Sequence, residues 1–148
     1  MKKLKMDRKK KIIVITGVIL VVLLASFACI LFMKKNRYHE VNVYLFSGET
    51  CPVCQRARTY IGELNEELDG KINLIEYEVW NDEENKANMD KVAEEFGDTL
   101  SGVPYIIVGE ETFNAFSDVI GLRIKDAIEA EMEKKNPTDL VAPIISEE

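Results

Sequence analysis

Two cysteines, Cys51 and Cys54, are separated by only two residues, in the sequence Cys51-Pro52-Val53-Cys54. This spacing lets the two thiols form a disulfide and break it again when the segment is helical. Pro52 suits the first turn of a helix, where its missing N–H leaves no hydrogen bond unmade. Cys51 would then lie at a helix N-terminus, whose unpaired N–H groups and dipole favour the reactive thiolate. The motif therefore predicts thiol–disulfide exchange, with Cys51 as the nucleophile and Cys54 as the resolving thiol.

The residues around the two thiols leave other interpretations open. Thr50, Pro52 and Val53 are expected to shape the site, although Val53 adds neither a charge nor a hydrogen-bonding group that would support a thiolate. A static structural bridge is one alternative, but such bridges usually close longer loops. A structural zinc site normally has four ligands, and the pair together with His39, the single histidine, supplies fewer. The sequence therefore predicts a redox pair and no metal site.

The segments around the motif alternate between strand and helix patterns. Strands are predicted over residues 41–46, 72–80, 103–108 and 112–116. Helices are predicted from Pro52 to Asp69-Gly70, from a cap at Asn81 or Asp82 to Gly97, and over residues 117–135. The order β-α-β-α-β-β-α predicts an α/β sheet with flanking helices, a parallel first pair and an antiparallel hairpin. The second strand is apolar enough to be expected largely buried.

Two motifs give this pattern a resemblance to a known family. Cys51-Pro52-Val53-Cys54 after the first strand, and Gly102-Val103-Pro104 at the start of the third, resemble the thioredoxin-like superfamily. The resemblance covers residues 42–135. Thioredoxins proper have a further strand and helix before the motif strand, and the seven residues 34–40 leave no room for them after the apolar N-terminal segment. The chain is thus most similar to the minimal glutaredoxin-like form, whose Cys-Pro-x-Cys motif it shares.

The resemblance implies a substrate-binding role for Val103 and Pro104. It implies a cis peptide bond between them that faces the cysteine pair, with the Val103 backbone pairing with an extended client segment. A proline that simply begins a strand is the alternative. Glutathione binding would need cations near the motif, and Arg56 and Arg58 are the only ones nearby. Both could be solvent-facing helix charges, so no cofactor is predicted.

The sequence also departs from the family pattern. Thr50 stands where thioredoxins have tryptophan, and the first strand has no aspartate to act as a buried proton acceptor. Glu76 and Glu78 could substitute for it, although surface charges are the simpler interpretation. Trp80 either covers the edge of the site or packs in the core, and core packing is favoured.

An apolar segment precedes the domain. Residues 12–33 form 22 consecutive positions without a charge, and a helix of that length spans about 33 Å, enough to cross a bilayer. Ser26-Phe27-Ala28 resembles a signal-peptidase site and Cys29 a lipoprotein site. The apolar run continues beyond both, which favours a retained anchor. Cys29 is expected to be an ordinary small apolar residue, with palmitoylation as the alternative.

Charge is divided unevenly along the chain, whose net charge is −7. Seven basic residues precede the apolar segment and three follow it closely, so the positive-inside bias predicts a cytoplasmic N-terminus and an extracytoplasmic domain. From residue 38 onward there are nine basic and 25 acidic residues, a net charge of −16. An acidic domain argues against a nucleic-acid partner, which would require a basic surface.

These patterns predict five regions: a basic cytoplasmic tail (1–11), a transmembrane helix (12–33), a linker (34–40), a thioredoxin-like domain (41–135) and a flexible C-terminal tail (136–148). The predicted function is a single-pass, membrane-tethered thiol–disulfide oxidoreductase. It would act outside the cytoplasm, where disulfides persist, on protein thiols or disulfides and with a redox partner protein. The alternative is an accessory or binding protein for peptide or protein export, whose disulfide does not turn over.

Overall fold

The computed structural model describes residues 8–35 and 38–146 of the 148-residue chain. The chain divides into two compact units, Met1–Arg37 and Tyr38–Glu148. The first contains the apolar N-terminal segment and the second contains the cysteine motif.

The described part of the first unit is one helix, α1 (Arg8–Lys35). Its stretch Lys11–Cys29 is long and apolar enough to cross a membrane, and a signal sequence near an N-terminus meets the same two criteria. The predicted span at residues 12–33 lies within this helix, and its role as an anchor stays a prediction. Residues 1–7 of the predicted basic tail and residues 36–37 of the predicted linker lie outside the described residues.

The second unit follows the predicted order of elements and adds one helix at its end. Its strands are β1 (Val41–Ser47), β2 (Ile72–Glu78), β3 (Tyr105–Val108) and β4 (Glu111–Phe113), and its helices are α2 (Pro52–Glu67), α3 (Glu83–Phe96), α4 (Asp118–Glu133) and α5 (Val141–Ser146). The sheet order is β2-β1-β3-β4. β1 pairs in parallel with β2 and antiparallel with β3, which pairs antiparallel with β4. The prediction of a mixed α/β, thioredoxin-like fold is confirmed.

Local signals set most ends of these elements. Asp82 and Ser117 each accept a backbone N–H from three residues ahead and so cap α3 and α4. Gly97 ends α3 with a φ of 70°, a left-handed conformation that glycine adopts without steric cost. β3 begins at Tyr105 rather than at residue 103 as predicted, because Pro104 has no N–H to donate to the ladder.

The central strands β1 and β3 are buried on both faces, since side chains alternate between the faces of a strand. One core lies between the sheet and helices α2 and α4 and includes Val43, Leu45 and Ile106. The other lies between the sheet and helices α3 and α5 and includes Phe46, Tyr105 and Ile107. Each fully buried aliphatic or aromatic side chain contributes roughly 1.5–3 kcal/mol. Burial on both faces therefore fixes the position of β1, from which the motif loop continues.

Two further strands, β2 and β4, also differ from their predictions. Of the seven residues of β2, only Ile72 is buried, because β2 lies at the edge of the sheet. The expectation of a largely buried second strand is therefore wrong. β4 ends at Phe113 rather than at residue 116, because the chain turns after it and Phe116 packs into the core shared by α2 and α4.

The C-terminal segment is docked on the domain, so the prediction of a flexible tail is wrong for its described part, residues 136–146. Asp139 accepts hydrogen bonds from Asn42 Nδ2 at 2.7 Å and from the Tyr44 hydroxyl at 2.9 Å. Val141 is buried in the core beside α3. These contacts join residues 95 and 97 positions apart, which the local sequence of the tail does not reveal. Residues 147–148 lie outside the described range.

Candidate active site

Cys51 and Cys54 are joined by a disulfide at the N-terminus of α2, with their Cα atoms 5.3 Å apart. Cys51 is the N-cap residue, with an extended backbone, and Pro52 is the first helical residue, as its fixed φ favours. The N–H of Cys54 donates to Sγ of Cys51 over 3.1 Å. This sulfur therefore lies where the N–H groups of a helix N-terminus would stabilise a thiolate after reduction.

The two cysteines differ in their access to solvent. Cys51 keeps 5% of its surface exposed, whereas Cys54 is fully buried. Only the first can be reached by a large partner, and the second lies behind it. Thr50 and Pro52 are exposed and Val53 is half-buried, so the three predicted shaping residues adjoin Cys51. Their roles, and the catalytic roles of both cysteines, stay predictions.

The loop that leads from β1 to Cys51 is held by the segment that ends β2. The carboxylate of Glu78 accepts three backbone N–H groups, at 3.1, 2.9 and 2.8 Å, from Glu49, Trp80 and Asn81. Desolvation raises the pKa of Glu78, but these three donors outweigh it and hold the pKa below its ordinary value. Glu78 therefore stays ionised and joins the two loops, and it is poorly suited to the role of proton acceptor.

Trp80 lies over the same loop. Its indole packs directly on Gly48, where an added Cβ would lie 2.3 Å from two ring carbons, so this approach requires glycine. The carbonyl of Gly48 in turn accepts the N–H of Cys51 at 3.2 Å. Because 55% of Trp80 is exposed, the expectation of core packing is wrong. The indole instead lies against the loop that presents Cys51.

Glu76 links β2 to β1 and α2. It accepts the hydroxyl of Ser47 at 2.6 Å and pairs with Arg58, whose Nε donates at 2.8 Å. The hydrogen bond from Arg58 is the largest reason why the pKa of Glu76 lies below its ordinary value. Ser47 is buried and ends β1, so this network fixes the point where the motif loop begins. Arg58 is thereby engaged within the domain rather than free to attract an anionic ligand.

Val103 and Pro104 lie at the same end of the sheet as the motif loop. The Val103–Pro104 peptide bond is cis, as the resemblance implied. In the antiparallel register Phe46 pairs with Tyr105, so the next step along each strand sets Pro104 opposite Ser47. Pro104 is buried and Val103 is half-buried. The structure brings this pair to the cysteine end of the sheet, and their role in binding clients stays a prediction.

A groove of about 400 Å³ begins at Pro52, next to Cys51, and lies between α2 and the start of α4. Its lining residues are Pro52, Gln55, Arg56, Thr59, Tyr60, Glu63, Phe116 and Asp118. The rings of Tyr60 and Phe116 are tilted against each other with centroids 5.6 Å apart. Sequence reasoning missed this groove because it placed residue 116 on a strand, although the cap at Ser117 already indicated that a helix begins there.

His39 is exposed, and its backbone N–H donates to the carbonyl of Met132 at 3.0 Å. Within residues 8–35 and 38–146, no three His, Cys, Asp or Glu side chains are grouped so that they could hold a metal ion.

Comparisons with known proteins place the chain in a family. It is similar in structure to the glutaredoxin Grx-1 of Archaeoglobus fulgidus, with 23% identity, a TM-score of 0.42, and coverage of 60% of this chain and 86% of that one. It is also similar to an uncharacterized thioredoxin-like protein from Clostridium perfringens, with 18% identity, a TM-score of 0.44, and coverage of 71% and 80%. No curated protein sequence matches it. The Glutaredoxin family profile matches residues 30–113, more than half of the chain and including both cysteines of the motif and the cis-proline, and the chain therefore belongs to the glutaredoxin family.

Proposed function

We propose that this protein is a membrane-tethered thiol–disulfide oxidoreductase that exchanges electrons with protein clients through Cys51 and Cys54. The observation that carries the proposal is the position of Cys51 Sγ at the N-cap of α2, where it accepts the N–H of Cys54. This position favours a thiolate in the reduced protein. Membership of the glutaredoxin family supports thiol–disulfide redox chemistry in general.

In the reducing direction, the Cys51 thiolate attacks one sulfur of a client disulfide. A mixed disulfide forms, and the other client sulfur leaves as a thiolate that takes a proton from water. Cys54 then loses its proton to water and attacks Sγ of Cys51, so that the Cys51–Cys54 disulfide forms and the second client thiolate leaves. The client gains two electrons, and a dithiol partner protein restores the reduced pair. The oxidising direction is the reverse, with a client dithiol as the donor and a disulfide protein as the final acceptor.

Val103 and Pro104 are proposed to contact the client backbone beside Cys51. Their position at the cysteine end of the sheet, opposite the end of β1, supports this role. Val103 precedes the first residue of β3 and is half-buried. An extended client segment could add to the sheet at this point.

The anchor is proposed to be retained, with the N-terminus in the cytoplasm and the domain outside. The bias of seven basic residues before the apolar segment against three after it supports this orientation. The intact mass of the protein from membranes tests retention, since cleavage near residue 28 would remove most of α1. Labelling of reduced Cys51 by a membrane-impermeant maleimide in intact cells tests the side. Labelling only after permeabilisation would refute the orientation.

Electrons are proposed to come from a partner protein rather than from glutathione. The groove beside Cys51 has one cation, Arg56, against the two carboxylates of Glu63 and Asp118, and Arg58 is paired with Glu76. A tripeptide with two carboxylates finds little positive charge there. The prediction is that glutathione forms a mixed disulfide with Cys51 much more slowly than a protein dithiol reduces the pair.

The central test uses the full chain in a non-ionic detergent. The chain has three cysteines, so every variant also carries Cys29→Ser, which leaves the two motif cysteines as the only thiols. The Cys54→Ser variant is expected to accumulate a mixed disulfide with a disulfide-bearing peptide, seen by intact mass. Cys51→Ser is the matched control and should trap none. If Cys51 resists alkylation at neutral pH and traps no client, the redox proposal fails and the accessory-protein alternative gains support.

A further inference from the structure

Trp80 is an exposed aromatic residue in direct contact with the loop that presents the attacking sulfur. Its ring lies on Gly48, and the Gly48 carbonyl accepts the N–H of Cys51. Even so, 55% of Trp80 faces solvent. An indole has a large apolar surface that gains free energy when a partner covers it. A client that brings a disulfide to Cys51 therefore passes close to this surface.

The position of Trp80 is set by hydrogen bonds before any client arrives. Its backbone N–H donates to Glu78, and the same carboxylate holds the N–H of Glu49. Asn81 Nδ2 donates to the carboxylate of Glu49 at 3.0 Å. Docking on a surface that is already fixed avoids the entropic cost of ordering it. The hydrogen bonds hold the backbone of Trp80, and packing on Gly48 orients its ring.

Exposed acidic residues follow Trp80 in the sequence, and another lies on the motif loop that Trp80 contacts. The exposed carboxylates are those of Glu49, Asp82, Glu83 and Glu84. Lys86, the next cation along α3, is paired with Asp90. A negative surface attracts cations, and an indole face binds an ammonium or guanidinium group. The chemistry of the surface therefore favours a positively charged partner segment.

We propose that Trp80 is a client-docking residue, which receives the polypeptide segment that flanks the client's cysteine and favours segments bearing lysine or arginine. The proposal rests on the thiol–disulfide exchange proposed above and extends it by naming the class of client. The cationic side chain stacks on the exposed indole face while its charge lies near the surrounding carboxylates. A segment bearing glutamate meets like charge there and docks more weakly.

Docking can be measured separately from redox chemistry because Trp80 is the only tryptophan in the chain. The full chain in a non-ionic detergent is titrated with extended peptides in which serine replaces cysteine, flanked by two lysines or by two glutamates. The lysine peptide is expected to change the Trp80 emission saturably and to bind about tenfold more tightly than the glutamate peptide, with the difference lost at high salt. Equal affinities, or an emission that saturating lysine peptide leaves unchanged, would overturn the proposal.

A kinetic arm distinguishes docking from mere support of the loop. Trp80→Ala is compared with Trp80→Phe, which keeps an aromatic ring, and with Leu122→Ala, a matched loss of an apolar side chain that is 62% exposed on α4. Trp80→Ala is expected to raise KM for a lysine-flanked disulfide peptide roughly tenfold, while its rate with the small neutral bis(2-hydroxyethyl) disulfide stays within about twofold. Trp80→Phe should lie between, and Leu122→Ala should match the wild type.

The outcomes separate the two proposals. If Trp80→Ala slows the reduction of the disulfide peptide and of the small disulfide equally, Trp80 only supports the loop and the docking proposal is refuted. If the wild type binds the lysine peptide but reduces neither disulfide, the docking surface stands and thiol–disulfide exchange is refuted.

Discussion

Replacing Glu76 by alanine is expected to destabilise the domain, because it leaves the buried hydroxyl of Ser47 without its acceptor. Ser47 is 1% exposed and donates to Glu76 over 2.6 Å. A buried polar group that loses its partner costs about 1–3 kcal/mol. The other partner, Arg58, has a side chain that is 41% exposed, so its guanidinium can return to water at little cost. The expected loss of unfolding free energy is thus about 1–3 kcal/mol and arises mainly at Ser47.

The double variant Ser47→Ala/Glu76→Ala separates the orphaned hydroxyl from the lost ion pair. Removing donor and acceptor together leaves no unpaired buried group, which costs much less than removing one partner. The double variant is therefore expected to be more stable than Glu76→Ala by about 1 kcal/mol, despite its extra substitution. Urea unfolding of the full chain in a non-ionic detergent measures this difference. The emission of Trp80 reports on the domain alone, because α1 contains no tryptophan.

The loss of unfolding free energy in Glu76→Ala is expected to depend on pH. Arg58 holds the pKa of Glu76 below its ordinary value, so the folded protein binds this proton more weakly than the unfolded chain does. The stabilisation is complete above the unfolded pKa and is lost as pH falls through the lower folded pKa. The difference in unfolding free energy between the wild type and Glu76→Ala should be constant above about pH 6 and should shrink below about pH 4. A double variant less stable than Glu76→Ala, or a difference unchanged at pH 3, would refute this reasoning.

Two further predictions concern the C-terminal helix and the glycines. Asp139→Ala removes an acceptor shared by two side chains of β1 and is expected to cost about 1–3 kcal/mol and to speed limited proteolysis at α5. Gly109→Ala is expected to destabilise by about 1–3 kcal/mol in thermal unfolding, because its φ is 59° and an added Cβ would lie 2.2 Å from Glu131 Oε1. Its control is Gly62→Ala in α2, where an added Cβ meets nothing within 4 Å and a gain of about 0.5–1 kcal/mol is expected. Equal melting temperatures for the two glycine variants would contradict this account.

The parts of the fold that the sequence predicted well are those whose signals lie within a few residues. Pro52 after Cys51 indicated the start of α2, and Gly97 indicated the end of α3. Ser117 was correctly placed at the start of α4. Caps and terminators act through hydrogen bonds and backbone conformations inside one helical turn, so neighbouring residues are sufficient to predict them. The position of the cysteine motif on its helix follows from the same local rules.

The parts that were mispredicted depend on contacts between distant segments. The composition of β2 does not reveal that it is an edge strand, because strand order arises only when the sheet assembles. The tail docks because Asp139 meets Asn42 and Tyr44, which come from the first strand. Trp80 packs on Gly48, 32 positions earlier, and not in the core. None of these partners is identified by a local pattern.

The edge strand explains how the domain presents Cys51. Residues two apart on a strand project to the same face, and Glu76 and Glu78 do so while Tyr77 between them stacks on Phe46 on the other face. Glu76 holds the end of β1, and Glu78 holds the loop after it.

Trp80, two positions further along, covers the glycine of that loop. The backbone continues this alignment past the end of β2, since the N–H of Val79 donates to the carbonyl of Ser47 at 2.9 Å. Two polar positions of this edge strand, Glu76 and Glu78, thus help to fix the motif loop. A loop held by hydrogen bonds at Ser47 and at Glu49 cannot shift freely when the disulfide is reduced, so Cys51 should keep its place at the helix N-terminus in both redox states. Backbone amide exchange at residues 48–50 that is similar in the oxidised and reduced protein would agree with this, and strong deprotection after reduction would contradict it.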